Sequence, residues 1–253
     1  MNNWPLIGSH TFNSGANYKA LGQNDLLKHA LIFTLKYTAI LTVILTLSGL
    51  GLALLLQERR RGTSLIRTAI FLPSAIGLAS ASLLFFGLFS PQVSPISSVL
   101  RDLGVVNGAV DFLGTPDRAL WSTVAVVVWR FAGFDMLLLL VALNAIPTEL
   151  FEAANVDGAS RLQTFRLVTV PLIRPTLALV LILSVTGSLL AFDQFYILTR
   201  GGPSNSTVTL VMVIFREAFT RFNLGTAAAL STLVLLALLL VNALQFRLIR
   251  SAD

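Results

Sequence analysis

Long apolar runs separated by short polar intervals dominate the chain. Five stretches reach the roughly 20 mostly apolar residues that a helix needs to cross a bilayer, at about 31–56, 65–89, 119–145, 172–198 and 225–249. The first is apolar from Tyr37 to Leu56. The second contains Pro73 in "IFLPSAIGLAS", which predicts a kink or break. Backbone groups freed there must face protein or a water cavity. The fourth begins near Pro171 and Pro175, residues suited to a helix start. The fifth opens with the small residues of "GTAAALS", which suit close helix packing. The pattern predicts an all-α polytopic membrane protein, a single transmembrane domain over 1–253.

The polar intervals carry patterns of their own. In "STVTLVMVIFREAFTRFN", Val208, Val211, Phe215, Ala218 and Phe222 recur at helical spacing. This predicts a short helix at the membrane interface or against the bundle. "TRGGPSNS" reads as a turn: Gly201 and Gly202 end one helix, and Ser204 or Ser206 caps the next.

Composition narrows the class. The chain is 55% hydrophobic and 12% charged, where soluble domains are about one-quarter charged. Its mean hydropathy is +0.80. The net charge is +6, but the 18 basic residues are scattered between apolar runs. They form no stripe for nucleic acid and read instead as flanks of spans in contact with lipid. The absence of cysteine excludes disulfides, thiolate metal sites and a cysteine nucleophile. His10 and His29 are the only histidines, so neither a catalytic nor a metal-binding histidine constellation is expected. No phosphate-cradling G-x-x-x-x-G-K-[ST] pattern occurs. The chain is therefore expected not to be an enzyme and to hold no cofactor.

Residues 1–28 lack the basic start and apolar core of a signal peptide and read as an external segment. The positive-inside rule places Arg59, Arg60, Arg61, the 145–174 loop, Arg247 and Arg250 in the cytoplasm. Five spans with a cytoplasmic C-terminus leave the N-terminus outside with no helix to carry it there. That predicts an upstream helix missing from this chain.

One polar interval is long. In "AIPTELFEAANVDGASRLQTFRLVTVPLIRPT", Pro147 suits a first helical position, and Glu149 and Glu152 fall where the helix dipole favours carboxylates. "TELFEAANVD" is rich in helix formers, and Gly158 follows where a left-handed residue would stop the helix. Ser160 and Gln163 have the spacing of a capping box that opens a second helix. Pro171 and Pro175 mark its end and the entry to the next span. The prediction is a helix–turn–helix outside the membrane. Ala153 and Ala154 beside Leu150 and Phe151 suit close approach by another surface. The residues alone fit either a docking element or a solvated connector.

This stretch resembles the cytoplasmic signature of binding-protein-dependent ABC importer permeases: E-A-A, three residues, Gly, nine residues, then apolar-x-apolar-Pro. Glu152, Ala153, Ala154, Gly158, Val168, Val170 and Pro171 match in register, with Val where Ile and Leu are typical. "FDQFYILTRGGPSNSTVTLVMVIFREAF", "RTAIFLPSAI" and "GTAAALS" are similar to the carbohydrate (MalF- and UgpA-like) branch. The likeness extends from about Tyr18 to Arg250. It implies a type I (MetI-like) permease bundle of the bacterial inner membrane, for a sugar, oligosaccharide, polyol or glycerol-phosphate-type solute. It implies that 145–174 is a coupling helix seated in a cytoplasmic ATPase dimer that binds ATP and Mg. Glu152 would make polar contacts there, and Gly158 would permit the turn. A second homologous permease subunit and an extracytoplasmic solute-binding protein are the other implied partners. The family pattern has six core helices, the first lying before the region matched here.

Ionisable groups inside apolar segments are costly and so mark functional candidates. Arg130, Asp135 and Asp193 stand out. Arg130 and Asp135 are five residues apart and do not stack on one helix face. "SLLAFDQFY" combines aromatic faces with polar edges, which suits a sugar ring, and the resemblance puts the corresponding segment at the solute cavity. Asp193, Gln194 and Tyr196 are the pathway candidates, with Arg130 and Asp135 beside them. Polar contacts that stabilise the bundle are the competing role. Two other functions remain: an ion-coupled secondary transporter using Asp135, Asp193 and Arg130, and an inactive, truncated permease.

Overall fold

A computed structural model describes residues 2–3, 11–58, 61–90, 94–105 and 110–250. Arg59, Arg60 and residues 1 and 4–10 of the predicted external N-terminal segment lie outside the described residues. Apart from a two-residue antiparallel pairing of Asn2–Asn3 with Thr11–Phe12, the described elements are helical. A short helix α1 (Ala16–Gly22), not anticipated in that polar stretch, precedes α2 (Asp25–Leu55). The second apolar stretch is broken. It comprises α3 (Thr63–Phe71), a 3-10 turn at Leu72–Ala75 containing Pro73, and α4 (Leu78–Leu88).

Next come α5 (Pro95–Asp102) and α6 (Pro116–Asn144). Ser94 caps α5 by accepting from the Ser97 amide, and Pro95 occupies its first turn. The polar hairpin is α7 (Thr148–Val156) and α8 (Arg161–Thr164). A π-turn at Phe165–Thr169 leads into α9 (Val170–Leu189). The chain ends with α10 (Asp193–Leu198), α11 (Leu210–Phe215), a π-turn at Arg216–Thr220 and α12 (Leu224–Arg250). Among the described residues, four helices are long and apolar enough to span a membrane, and five spans result if the broken pair is one.

Two expectations about the fourth span are corrected. Pro171 and Pro175 do not end a helix, because helix runs unbroken from Arg161 to Leu189. A proline ring collides with the carbonyl four residues back and removes one ladder bond. The widened π-turn at Phe165–Thr169, directly before Pro171, is the local adjustment that lets the helix continue. The span also stops earlier than predicted, at Leu189 rather than 198. Gly187 lies in the last turn, two residues before that stop, where it weakens the helix. Just past the stop the Thr209 hydroxyl donates to the Ala191 carbonyl at 2.7 Å, in place of a ladder bond.

The chain divides into two compact units, with boundaries inside α2, α6, α9 and α12 and at the break between Ile76 and Gly77. One comprises Met1–Ala39, Gly77–Val127 and Thr186–Val241. Phe89, Val126 and Leu198 are buried together there, with Phe85, Ile96, Phe112 and Leu113 packed around them. The other comprises Ile40–Ile76, Val128–Val185 and Asn242–Asp253. Its core is Ala53, Met136, Leu139, Leu140, Leu143, Ile146, Ile173 and Val180.

Candidate functional site

The hairpin in the second unit is built from bonds local to it. Helix α7 ends in a pair of reversed hydrogen bonds: Gly158 N–H donates to the Asn155 carbonyl at 3.1 Å, and Ala159 N–H to the Ala154 carbonyl at 2.9 Å. That is the Schellman closure, which requires a left-handed residue at the first position past the cap. Gly158 supplies it with φ 74°. The spacing between Ala154 and Gly158 is therefore the spacing of this closure. Two residues on, Ser160 and Gln163 form the predicted capping box. The Ser160 hydroxyl accepts from the Gln163 amide at 3.4 Å, and Gln163 Oε1 accepts from the Ser160 amide at 2.8 Å.

Burial sorts the hairpin's residues. Ile146 and Phe151 pack into or against the core of their unit and anchor the hairpin. Glu152, Ala153 and Gly158 are exposed, and Ala154 is half-buried. Leu150, Val156, Leu162 and Leu167 are also exposed, so the polar loop presents apolar side chains as well. Pro171 is exposed within the continuous helix.

The intramembrane candidates separate. Arg130 Nε donates to the Ile76 carbonyl at 2.8 Å, and its guanidinium lies 4.0 Å from the Phe131 ring centroid. Ile76 follows the break after Pro73, so Arg130 satisfies a carbonyl that the broken span leaves without a ladder bond. Asp135 is 97% shielded, and its Oδ2 has no hydrogen-bond partner among the described residues. Its Cβ lies against Gly49 on α2, where an added Cβ would sit 2.7 Å away. Arg130 and Asp135 therefore make different contacts, as their five-residue separation predicts.

In the first unit, α10 has two faces. Gln194, Phe195 and Leu198 are buried, while Asp193 and Tyr196 are exposed one turn apart. Gln194 Nε2 donates to the Tyr37 hydroxyl at 3.2 Å, and the Phe195 ring meets Tyr37 edge-on at 4.8 Å and Phe33 at 5.1 Å. Leu210 N–H donates to the Thr34 hydroxyl at 3.1 Å, so α2 fixes both sides of the intervening loop. That loop is closed by Thr199 and Thr207, whose hydroxyls meet at 2.7 Å. Arg216 clamps it through Asn205 Oδ1 at 2.9 Å and the Arg200 carbonyl at 3.0 Å. The cap of α11 is Thr209, which accepts from the Met212 amide, and not Ser204 or Ser206. Ser204 and Asn205 are both at positive φ in the turn itself, too early to cap.

The exposed face of α10 continues as an aromatic array. Phe192 stacks on Tyr196 at 5.1 Å; Phe215 meets them at 5.2 and 5.1 Å; Phe219 meets Phe215 at 5.1 Å. Each pair, Phe192 with Tyr196 and Phe215 with Phe219, is visible in sequence as an i,i+4 repeat. Their meeting is not, since the loop that folds one pair onto the other is set by tertiary bonds.

Residues 45–252 match the family described as "Binding-protein-dependent transport system inner membrane component". The chain belongs to that family. This permease is 32% identical to the multiple sugar-binding transport system permease protein MsmF of Streptococcus mutans, over 97% of its own length and 84% of that protein's. It is also 32% identical to the sn-glycerol-3-phosphate transport system permease protein UgpA of Agrobacterium fabrum, over 95% and 82%. The trehalose/maltose transport system permease protein MalF of Thermococcus litoralis is 34% identical over 82% of this chain and 68% of that one. The permease fold agrees with that of a bacterial ABC transporter involved in the import of the acidic polysaccharide alginate. The TM-score is 0.85 at 23% identity, covering 95% of this chain and 84% of the other. The permease is thus a multi-pass inner-membrane subunit of the carbohydrate-type ABC importer class, with the expected all-α, MetI-like bundle. Its relatives are permeases rather than enzymes.

Proposed function

We propose that this permease imports a sugar, oligosaccharide, polyol or glycerol-phosphate-type solute, and that α7 is the coupling helix through which a separate ATPase drives it. The observation that carries the coupling role is the self-closed hairpin, with Glu152 and Leu150 exposed on α7 and Phe151 tied to the core. A connector needs neither a rigid closure nor exposed apolar anchors. A docking knob needs both: anchors to bury and a carboxylate for polar contact.

ATP and Mg bind in the ATPase dimer, which closes on ATP and pushes the hairpin. The hairpin and the C-terminus face the cytoplasm. One crossing by α9 then brings α10 and the aromatic array to the outer side, where a solute-binding protein delivers its cargo. A second homologous permease completes the path. Asp193 and Tyr196 line it, with Phe192, Phe215 and Phe219 as flat apolar surfaces for sugar rings. Gln194 holds α10 from behind through the Tyr37 hydroxyl. The named solutes of the relatives, including sn-glycerol-3-phosphate and trehalose/maltose, bracket this solute class.

The test is ATP-driven uptake by the assembled transporter in vesicles. Glu152→Lys should abolish uptake, and Gly158→Val should lower it, while leaving the chain inserted in the membrane. Wild-type uptake by both variants sinks the coupling role. Gradient-driven uptake without any ATPase would favour a secondary transporter instead.

A further inference from the structure

A cavity of about 400 Å³ opens between α4 and α10, on the first unit. Phe86 and Leu83 line it from α4; Tyr196, Thr199 and Arg200 line it from α10 and the loop that follows. Its walls are mostly apolar, with one cation. The Arg200 carbonyl is held by Arg216 Nη2 at 3.0 Å, and the residue sits at φ 51°. Its guanidinium has no carboxylate partner among the described residues. The nearest acids in sequence are Asp193, seven residues before it at the start of α10, and Glu217; none lies in α4. Arg216 adds a second positive charge to the same loop, with its donors spent on neutral oxygens. Glu217, the next acid along, is paired with Arg221.

We propose that this cavity is an anion-bearing subsite, in which Arg200 takes a carboxylate, phosphate or sulfonate and the rings of Tyr196 and Phe86 take the apolar face attached to it. A planar guanidinium presents paired donors that match such oxyanions, and bidentate pairing gives it preference over a neutral hydroxyl. The aromatic walls suit the C–H face of a pyranose or polyol chain. The same chemistry is offered by an acidic solute and by an anionic lipid headgroup. The solute source rests on the importer reading above; the anion site itself does not.

The chain has no cysteine, so Leu83→Cys gives a single reporter in it. The assembled transporter is placed in nanodiscs of phosphatidylcholine, with or without phosphatidylglycerol, and maleimide labelling of that cysteine is timed. Sodium glucuronate or glycerol 3-phosphate should slow labelling at concentrations where methyl glucoside does not. Adding Arg200→Gln should raise the half-protecting anion concentration roughly ten- to hundredfold, the loss of one charge-assisted pair. Slowing by phosphatidylglycerol alone, abolished by Arg200→Gln, supports the site and identifies the anion source as lipid. Equal protection by methyl glucoside, protection indifferent to Arg200→Gln, or no protection in either lipid overturns the proposal. ATP turnover of the wild-type complex stimulated by its binding protein is measured alongside. Turnover with a null labelling result sinks the subsite alone, and its absence sinks the importer reading whatever the labelling gives.

Discussion

Gly158 allows the hairpin's architecture to be tested by backbone energy alone. It sits at φ 74°, and a Cβ placed on it would meet nothing within 4 Å. A side chain there costs nothing in space and everything in conformation. For an ordinary L-residue the left-handed region costs about 1–2 kcal/mol. Asn tolerates it with little cost, and a β-branched residue pays most. Gly158→Ala should therefore open the Schellman closure about fivefold more often, for a cost near 1 kcal/mol. Gly158→Asn should be close to wild type, and Gly158→Val should be worst. Hydrogen exchange of the amide of Ala159, which closes on Ala154, reads that opening equilibrium directly. Uptake by the assembled transporter should fall in the same order. Exchange as slow in the Val variant as in wild type, or an Asn variant no better than Ala, would refute the backbone argument. Exchange in the expected order with uptake unchanged would instead refute the link between hairpin shape and coupling.

Three further outcomes concern polar and close-packed contacts within each unit. Arg130→Met should lower thermal stability by about 1–3 kcal/mol, since it strips the Ile76 carbonyl of its donor. Melting of the purified protein at the wild-type temperature would show that the carbonyl needs no partner. Gly49→Ala should destabilise by about 1–3 kcal/mol, because its methyl would lie 2.7 Å from Asp135 Cβ. Adding Asp135→Ala keeps that Cβ and should not rescue it in the same melting assay, whereas adding Asp135→Gly should. Tyr37→Phe should cost about 1–3 kcal/mol by leaving the buried Gln194 amide without its acceptor. The double variant with Gln194→Leu should melt above the single one; additive losses would deny the pairing.

The spans and the hairpin were legible because their signals are local. Apolar length marks a crossing, Pro73 marks the break, and the Ser160–Gln163 and Gly158 spacings mark caps that close within a few residues. The errors arose where a distant group decides. Helix continuity into Pro171 comes with a π-turn at Phe165–Thr169 that no propensity announces, and Pro175 is carried inside the regular helix. Just past the early stop of the fourth span the Ala191 carbonyl is met by Thr209, 18 residues away. Arg130 was readable as costly and therefore meaningful, but its partner lies 54 residues away at a break. Likewise polarity marks Gln194 in the sequence, while its burial against Tyr37 comes from a contact across 157 residues.

The hairpin's two closures, at Ala154–Ala159 and Ser160–Gln163, are completed by its own atoms. Its outline is thus written in one short run of sequence and owes little to the helices around it. A part so self-contained is interchangeable. Under the coupling role proposed above, the face that meets the ATPase can stay constant while α4, α10 and the aromatic array drift toward a new cargo. Inheritance would then act on two separate alphabets within one chain.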